Sequence, residues 1–338
     1  MSKRKLTRRQ AWQVEKVQQE RLSRAQKKSR KAEKLIDRHD LGTEQTGRII
    51  AHYGANLDVE DDNGAIHHCL TRANLPQLVC GDRVIWQATG EAMGVITALI
   101  PRTSLLSRHG YNNQPKPVAA NIDQILVVAA PSPSLDEDLI NRYLVAAQLT
   151  DIAPVLVINK TDLLSPAEHR QLTERLAIYQ TIGYSIIFTS TKQRDGLNSL
   201  LQRLKNRTSI FVGQSGVGKS SLIKVLIPQV DIRVGEISAA TGLGKHTTSV
   251  TVLYHLPNGG AIIDSPGVRE FGLGPVSRDE LSQGFVDFQP WLGQCKFNDC
   301  SHEQEPDCAI KHAVDTGAIS KQRYDSFLRL ARTLEQRK

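Results

Sequence analysis

The sequence predicts three folded modules behind a basic arm: a small N-terminal β-barrel, a central α/β domain on a parallel sheet, and a C-terminal, mainly helical module that holds a metal. Three observations carry that prediction. Short alternating segments punctuated by Gly, Asn and Asp fill residues 46–102, nearly unbroken apolar strands alternate with helical stretches from 122 onward, and three cysteines and a histidine crowd into 295–308. At 338 residues and 40% hydrophobic content the chain has material for several cores. The expected bounds are an arm over 1–40, a barrel over 41–102, the α/β domain over 103–274 and the metal-binding module over 275–338.

The net charge of +8 sits in the arm: residues 1–38 carry fourteen Lys and Arg against four acids, leaving the remainder near neutral. Its apolar residues Trp12, Val14, Val17, Leu22, Leu35 and Ile36 form no continuous stripe, so the arm cannot bury enough surface to fold alone. A phosphate backbone, whose counterions each Lys or Arg displaces, is the partner this composition suits. No run approaches 18 apolar residues and no signal peptide opens the chain, which predicts a soluble, cytoplasmic protein without a membrane partner. Five cysteines in such a chain do not suggest a disulfide framework; Cys69 and Cys80 read as buried apolar residues.

Taken in order, 47–53, 57–60, 66–70, 82–86 and 94–99 read as five strands, with a turn at Asp62-Asn63-Gly64. Five short strands in so little chain suit a barrel of the OB type, which commonly binds oligonucleotides. Residues 102–117, with Pro115 and Pro117, read as a linker. Strands are then expected at 122–130, 155–158, 185–188, 208–212 and 260–263, separated by helices at 135–150, 166–181, 196–207 and from Ser220 to Leu226. Continuous rather than alternating apolar strands mean a sheet covered on both faces.

The turn after 208–212 reads Gly213-Gln-Ser-Gly-Val-Gly-Lys-Ser220, the G-x-x-x-x-G-K-[ST] pattern in its strand–loop–helix setting. Gly213, Gln214, Ser215, Gly216, Val217 and Gly218 are expected to aim backbone N–H groups at phosphate oxygens, Lys219 to reach the β- and γ-phosphates, Ser220 to ligate Mg²⁺, and Ser221 to open the helix. Asn159-Lys160-Thr161-Asp162 follows a strand. Its Asp can accept two N–H groups of guanine, a donor pair adenine lacks, so ATP would leave a carboxylate unsatisfied at a cost of ~1–3 kcal/mol. Asn159 would meet the guanine carbonyl edge, Lys160 would pack along the base, and Ser190, in Thr189-Ser-Thr-Lys192, would close over it. The Gly-rich run 241–249 suits a switch loop in which a threonine, Thr247 or Thr248 and by assignment Thr248, ligates Mg²⁺. Asp264-Ser-Pro-Gly267 gives D-x-x-G: Asp264 would hold the water shell of Mg²⁺ and the Gly267 N–H would sense the γ-phosphate.

The order of these elements is unusual, because base selection at 159 and 190 precedes the phosphate loop at 213 and Asp264. In this the chain resembles the circularly permuted GTPases, and more closely the small-ribosomal-subunit-dependent GTPase A family, which joins an OB domain, a permuted G domain and a zinc domain. The resemblance spans about residues 40–335. It implies a late-acting assembly factor for the small (30S) ribosomal subunit that binds 16S rRNA and GTP or GDP and hydrolyses GTP when engaged on the subunit; a monomer is expected. Val268 stands where ordinary small GTPases place a water-orienting glutamine, so His246, beside the switch threonines, is assigned a catalytic role with Lys219 and Thr248.

Cys295, Cys300, His302 and Cys308 follow C-x4-C-x-H-x5-C, three thiolates and one imidazole, which complete a tetrahedral structural Zn²⁺ shell with no open position. His312 is a competing nitrogen ligand; His302 has the family position. Residues 320–336 form a basic amphipathic helix.

Overall fold

The computed structural model describes residues 41–336 apart from 54–55, 73, 91, 110–113, 133–134, 229–249 and 266–270. Contacts divide it into two units, one running to Leu78 and from Asp82 to Pro101, the other holding Val79–Gly81 and everything from Arg102.

The first unit contains β1 (Glu44–Tyr53), β2 (Asn56–Asp61), β3 (Ile66–Thr71), β4 (Arg83–Gly90) and β5 (Met93–Leu99). β1 lies antiparallel to β2 and β4, β2 to β3, and β5 runs antiparallel to β4 but parallel to β3, so the sheet closes on itself as an OB-like barrel. Alternation explains the closure: Ile49, Leu57, Val59, Cys69, Val84, Trp86 and Ile96 all point to one core. The turn between β2 and β3 is made by its own first residue, since the Asp61 carboxylate accepts the backbone N–H of Asn63 at 2.9 Å and of Ala65 at 2.8 Å.

The second unit carries β8 (Gln124–Ala129), β9 (Ala153–Ile158), β10 (Ser185–Phe188), β11 (Thr208–Val212), β12 (Thr251–His255) and β13 (Ala261–Asp264), in the order β10-β9-β8-β11-β13-β12. All are parallel except β12, which runs antiparallel to β13. β8 and β11 are buried along their whole length, as unbroken apolar runs demand. Helices α1 (Glu137–Gln148), α2 (Pro166–Thr181), α3 (Arg194–Leu204) and α4 (Lys219–Leu226) connect them. α2 begins on a capping box in which Ser165 and Glu168 satisfy each other's backbone N–H groups.

Two elements depart from the sequence reading. Residues 102–117 contain most of a hairpin, β6 (Leu105–His109) antiparallel to β7 (Pro115–Ala120), where a linker is expected. Pro115 and Pro117 argue against a strand in a wide sheet, but a two-stranded ribbon has only edges, where a missing N–H costs little. β12 was not anticipated either: Val252, Leu253 and Tyr254 are buried, a short apolar run directly after the polar switch segment.

The C-terminal module packs α5 (Arg278–Gln283), α6 (Ala309–Asp315) and α7 (Lys321–Glu335) around Phe285, Phe288, Ile310, Phe327 and Leu330. Val145 of α1 belongs to the same core. α1 is therefore buried on nearly all sides, with Ile140, Asn141 and Tyr143 through Ala147 all inaccessible. Arg323 of α7, 1% exposed, is paired with Asp287 at 2.6 and 3.2 Å, donates to Asn141 Oδ1 at 2.6 Å and lies 4.5 Å from the Phe285 ring centroid. Such a buried charge is tolerable because it is paired with a carboxylate and bonded to an amide oxygen.

Candidate functional site

The carboxyl ends of β8, β9, β10, β11 and β13 open on one edge of the sheet, the place where α/β folds present ligands. There Gly213, Gln214, Ser215, Gly216, Gly218, Lys219, Ser220 and Ser221 line a cleft of about 660 Å³ with Lys160, Leu139 and Tyr143. Two glycines are obligatory. Gly213 (φ 138°) and Gly218 (φ 94°) adopt backbone that side chains disfavour, and a Cβ would strike Val128 O at the first and Asn159 Nδ2 at the second. Val217 is buried beneath the loop. The Lys219 ammonium donates to the carbonyls of Gly213 at 2.6 Å and Gln214 at 2.7 Å, and α4 begins directly behind it.

The loop after β9 is bound to the phosphate loop. Asn159, 1% exposed, donates through Nδ2 to Val217 O at 2.9 Å, while its Oδ1 is buried with no partner among the described residues. Lys160 takes left-handed backbone (φ 62°) and donates to Ser132 O at 3.2 Å. Thr161 donates to Thr189 O at 3.1 Å, which ties this loop to the one after β10. Ser190 donates to Asp162 at 2.5 Å, and Lys192 stands 3.3 Å from the other oxygen. Those two donors, the Ser190 hydroxyl first, hold the Asp162 carboxyl below the usual range. Asp264 ends β13 and is exposed. Asn159, Asp162, Ser190 and the phosphate loop thus meet at one edge. His246, Thr248 and Gly267 lie outside the described residues, as do Thr247 and Val268.

The sequence alone missed Tyr143, whose phenol body is 8% exposed and stacks on Phe271 at 6.3 Å. Only its helical spacing with Leu139, one turn earlier, could have pointed to the cleft.

In the C-terminal module the ligand atoms of Cys295, Cys300, His302 and Cys308 all lie within 4.8 Å of one another, and His312 is not among them. Tetrahedral zinc at ~2.3 Å from sulfur and ~2.0–2.1 Å from nitrogen requires separations of about 3.8 Å between sulfurs and about 3.6 Å from sulfur to nitrogen. The structure has Cys295 Sγ to Cys308 Sγ at 3.9 Å, and His302 Nδ1 at 3.5 and 3.4 Å from those sulfurs. The sulfurs are far too distant for a disulfide. Burial pushes the Cys300 thiol up to about 12, raises Cys308 and lowers His302. The residues fit one Zn²⁺: a cation would compensate buried sulfur that ionises only at a cost. The supporting shell is in place. Glu305 accepts the N–H groups of Ser301, Glu303 and Gln304, and Tyr324 donates to His302 O at 2.7 Å.

The family described as RsgA GTPase matches residues 99–274. A protein of Chromohalobacter salexigens named "Small ribosomal subunit biogenesis GTPase RsgA" is 51% identical over 97% of each chain, and its namesake in Pseudomonas fluorescens is 46% identical over 99% of each. The chain belongs to the RsgA GTPase family. Among solved structures, YjeQ of Thermotoga maritima aligns with TM-score 0.73 and 31% identity over 88% of this chain and all of that one. YloQ, described as a circularly permuted GTPase, aligns with TM-score 0.69 and 28% identity over 89% of this chain and 97% of its own. As an RsgA GTPase, this chain runs from a β-barrel through a permuted P-loop domain to a Cys₃His module.

Proposed function

We propose that this protein is a GTP hydrolase that engages the small ribosomal subunit through 16S rRNA and acts late in 30S assembly, as a cytoplasmic monomer. The meeting of the Asn159–Asp162 loop with the phosphate loop carries the reading: Asn159 is bonded to Val217 O and Lys160 lines the phosphate-loop cleft, so the loop suited to guanine selection adjoins the one suited to phosphate. Asp162 accepts the paired N–H groups of the base, Ser190 orients Asp162, and Asn159 and Thr161 brace the pocket. Lys160 flanks the base. The amides of 213–218 and the Lys219 ammonium cradle the phosphates, with Ser221 in the first helical turn. Ser220, exposed in the cleft, and Asp264 offer the hard oxygen donors Mg²⁺ prefers, and Thr248 completes them. Mg²⁺, when bound, neutralises charge on the β- and γ-phosphates. Gly267 senses the γ-phosphate, and His246 orients the attacking water in place of the glutamine that Val268 replaces. The division at about 41–102, 103–274 and 275–338 follows these roles: barrel and arm toward RNA, the middle toward GTP, and the Zn²⁺ module as a rigid extension.

GTP turnover with and without purified small subunits tests this. Subunits should stimulate turnover, ATP should not compete with GTP, and His246→Ala should lose stimulation by roughly 10²-fold or more while binding a non-hydrolysable analogue normally. Absence of turnover in both arms, or equal use of ATP, overturns it.

A further inference from the structure

α1 has two working faces. Leu139, Ile140 and Tyr143 turn toward the phosphate loop and share a narrow cavity with Gln214 and Val217. Asp138, Asn141 and Val145, at spacings of three and four, turn toward the C-terminal module. Asp138 takes a two-pronged grip from Arg329 at 2.6 and 2.8 Å, Asn141 donates to Ser326 at 2.8 Å and accepts from Arg323 at 2.6 Å, and Val145 enters the module's core. α7, which carries all three of those partners, also reaches the metal-ligand loop, where Tyr324 donates to His302 O and Arg332 binds Glu303 at 2.6 Å. The route from nucleotide to metal is thus one buried helix and one hydrogen-bonded helix.

We propose that α1 couples the phosphate loop to the zinc-ligand module, with Asn141 as the coupling residue; this rests on the nucleotide reading above. A coupling needs a local difference between two states. The phosphate loop has one: the Lys219 ammonium is held by the carbonyls of Gly213 and Gln214, and a phosphate is the stronger, charged acceptor. Drawing Lys219 away frees carbonyls in the segment that shares its cavity with Leu139 and Tyr143. Asn141 is 1% exposed and has both ends of its amide committed, so a shift of α1 is transmitted to α7 rather than absorbed by solvent.

Thermodynamic reciprocity supplies the test. On the full chain, Zn²⁺ affinity is measured by chelator competition with and without saturating GDP, and GDP affinity by fluorescent-analogue displacement with and without Zn²⁺. Each ligand should change the other's affinity by the same factor, about fivefold or more. Asn141→Leu should bring both ratios near one while both ligands still bind. Asn141→Asp, which can still accept from Arg323 and Ser326, should retain the wild-type ratio. Ser326→Ala removes one hydroxyl and should lower the ratio in a protein that folds if the leucine variant does not. Ratios near one in wild type with both ligands bound, or a wild-type ratio in Asn141→Leu or Ser326→Ala, overturn the coupling. Failure of wild type to bind GDP instead overturns the nucleotide reading, and the coupling with it.

Discussion

The Asp162 carboxylate accepts the Ser190 hydroxyl on one oxygen and faces the Lys192 ammonium with the other. Both donors favour the charged form, so Asp162 stays ionised well below neutral pH and is ready to accept two N–H groups from a base. Asp162→Asn replaces one acceptor with a donor. It should weaken GTP binding at least tenfold, about 1.4 kcal/mol, and let a xanthine nucleotide recover part of the loss. Calorimetric titration of both nucleotides checks this, and equal affinity of the wild type for ATP and GTP would contradict it. Arg323 makes the opposite use of charge, since its guanidinium is buried and donates twice to Asp287 and once to Asn141. Arg323→Leu leaves Asp287, whose side chain is 4% exposed, without its partner, and should cost about 3–5 kcal/mol in chemical unfolding.

At the scale of elements, the segment 295–308 has too little apolar surface to fold by burial alone, and its shape depends on its four ligands and on Glu305 beneath them. Cys300→Ser removes one ligand and should reduce bound zinc and expose 290–315 to hydrogen exchange, while the phosphate loop keeps its protection. Protein prepared without chelator should contain one zinc per chain by elemental analysis. The α1–α7 contact has its own pH signature. Arg329 lowers the Asp138 carboxyl below its unfolded value of about 3.9. The ion pair therefore contributes fully above that value and is lost as pH falls through the lower, folded one. With both side chains partly exposed, the contribution is on the order of 0.2–1 kcal/mol. Asp138→Asn should lower stability by that amount above about pH 5, flatten the fall in melting temperature between about pH 4 and 2, and match the wild type at the acid end.

Across the whole molecule, charge is segregated. The arm carries a net +10 over residues 1–38, from fourteen basic and four acidic side chains, while the body is close to neutral. Deleting 1–40 should leave GTP binding intact and reduce the slope of log affinity for the small subunit against log salt by roughly one for every phosphate contact removed. An unchanged slope would move the electrostatic contact to the body.

Periodicity and spacing were sufficient for the fold class: five alternating strands for a barrel, unbroken apolar strands for a parallel sheet, and four soft ligands in fourteen residues for a zinc site. Local signals of that kind are written in neighbouring residues, so no long-range information is needed to read them. The hairpin over 105–120 was hidden because its prolines oppose a strand everywhere except at an edge, and edges exist only once the sheet is assembled. The choice of His302 over His312 came from the family resemblance rather than from spacing, since both lie within a few residues of Cys308; the structure agrees with it, because His302 brings its Nδ1 to the sulfurs. Asn141 was illegible for a deeper reason. Its partners Arg323 and Ser326 are 182 and 185 residues away, and in a helix an asparagine among apolar residues looks like a solvated position until the opposite wall is known. The sequence therefore determined which chemistries this chain can support, and the tertiary structure decided which of its helices joins them, because burial and partnership across such separations are properties of packing alone.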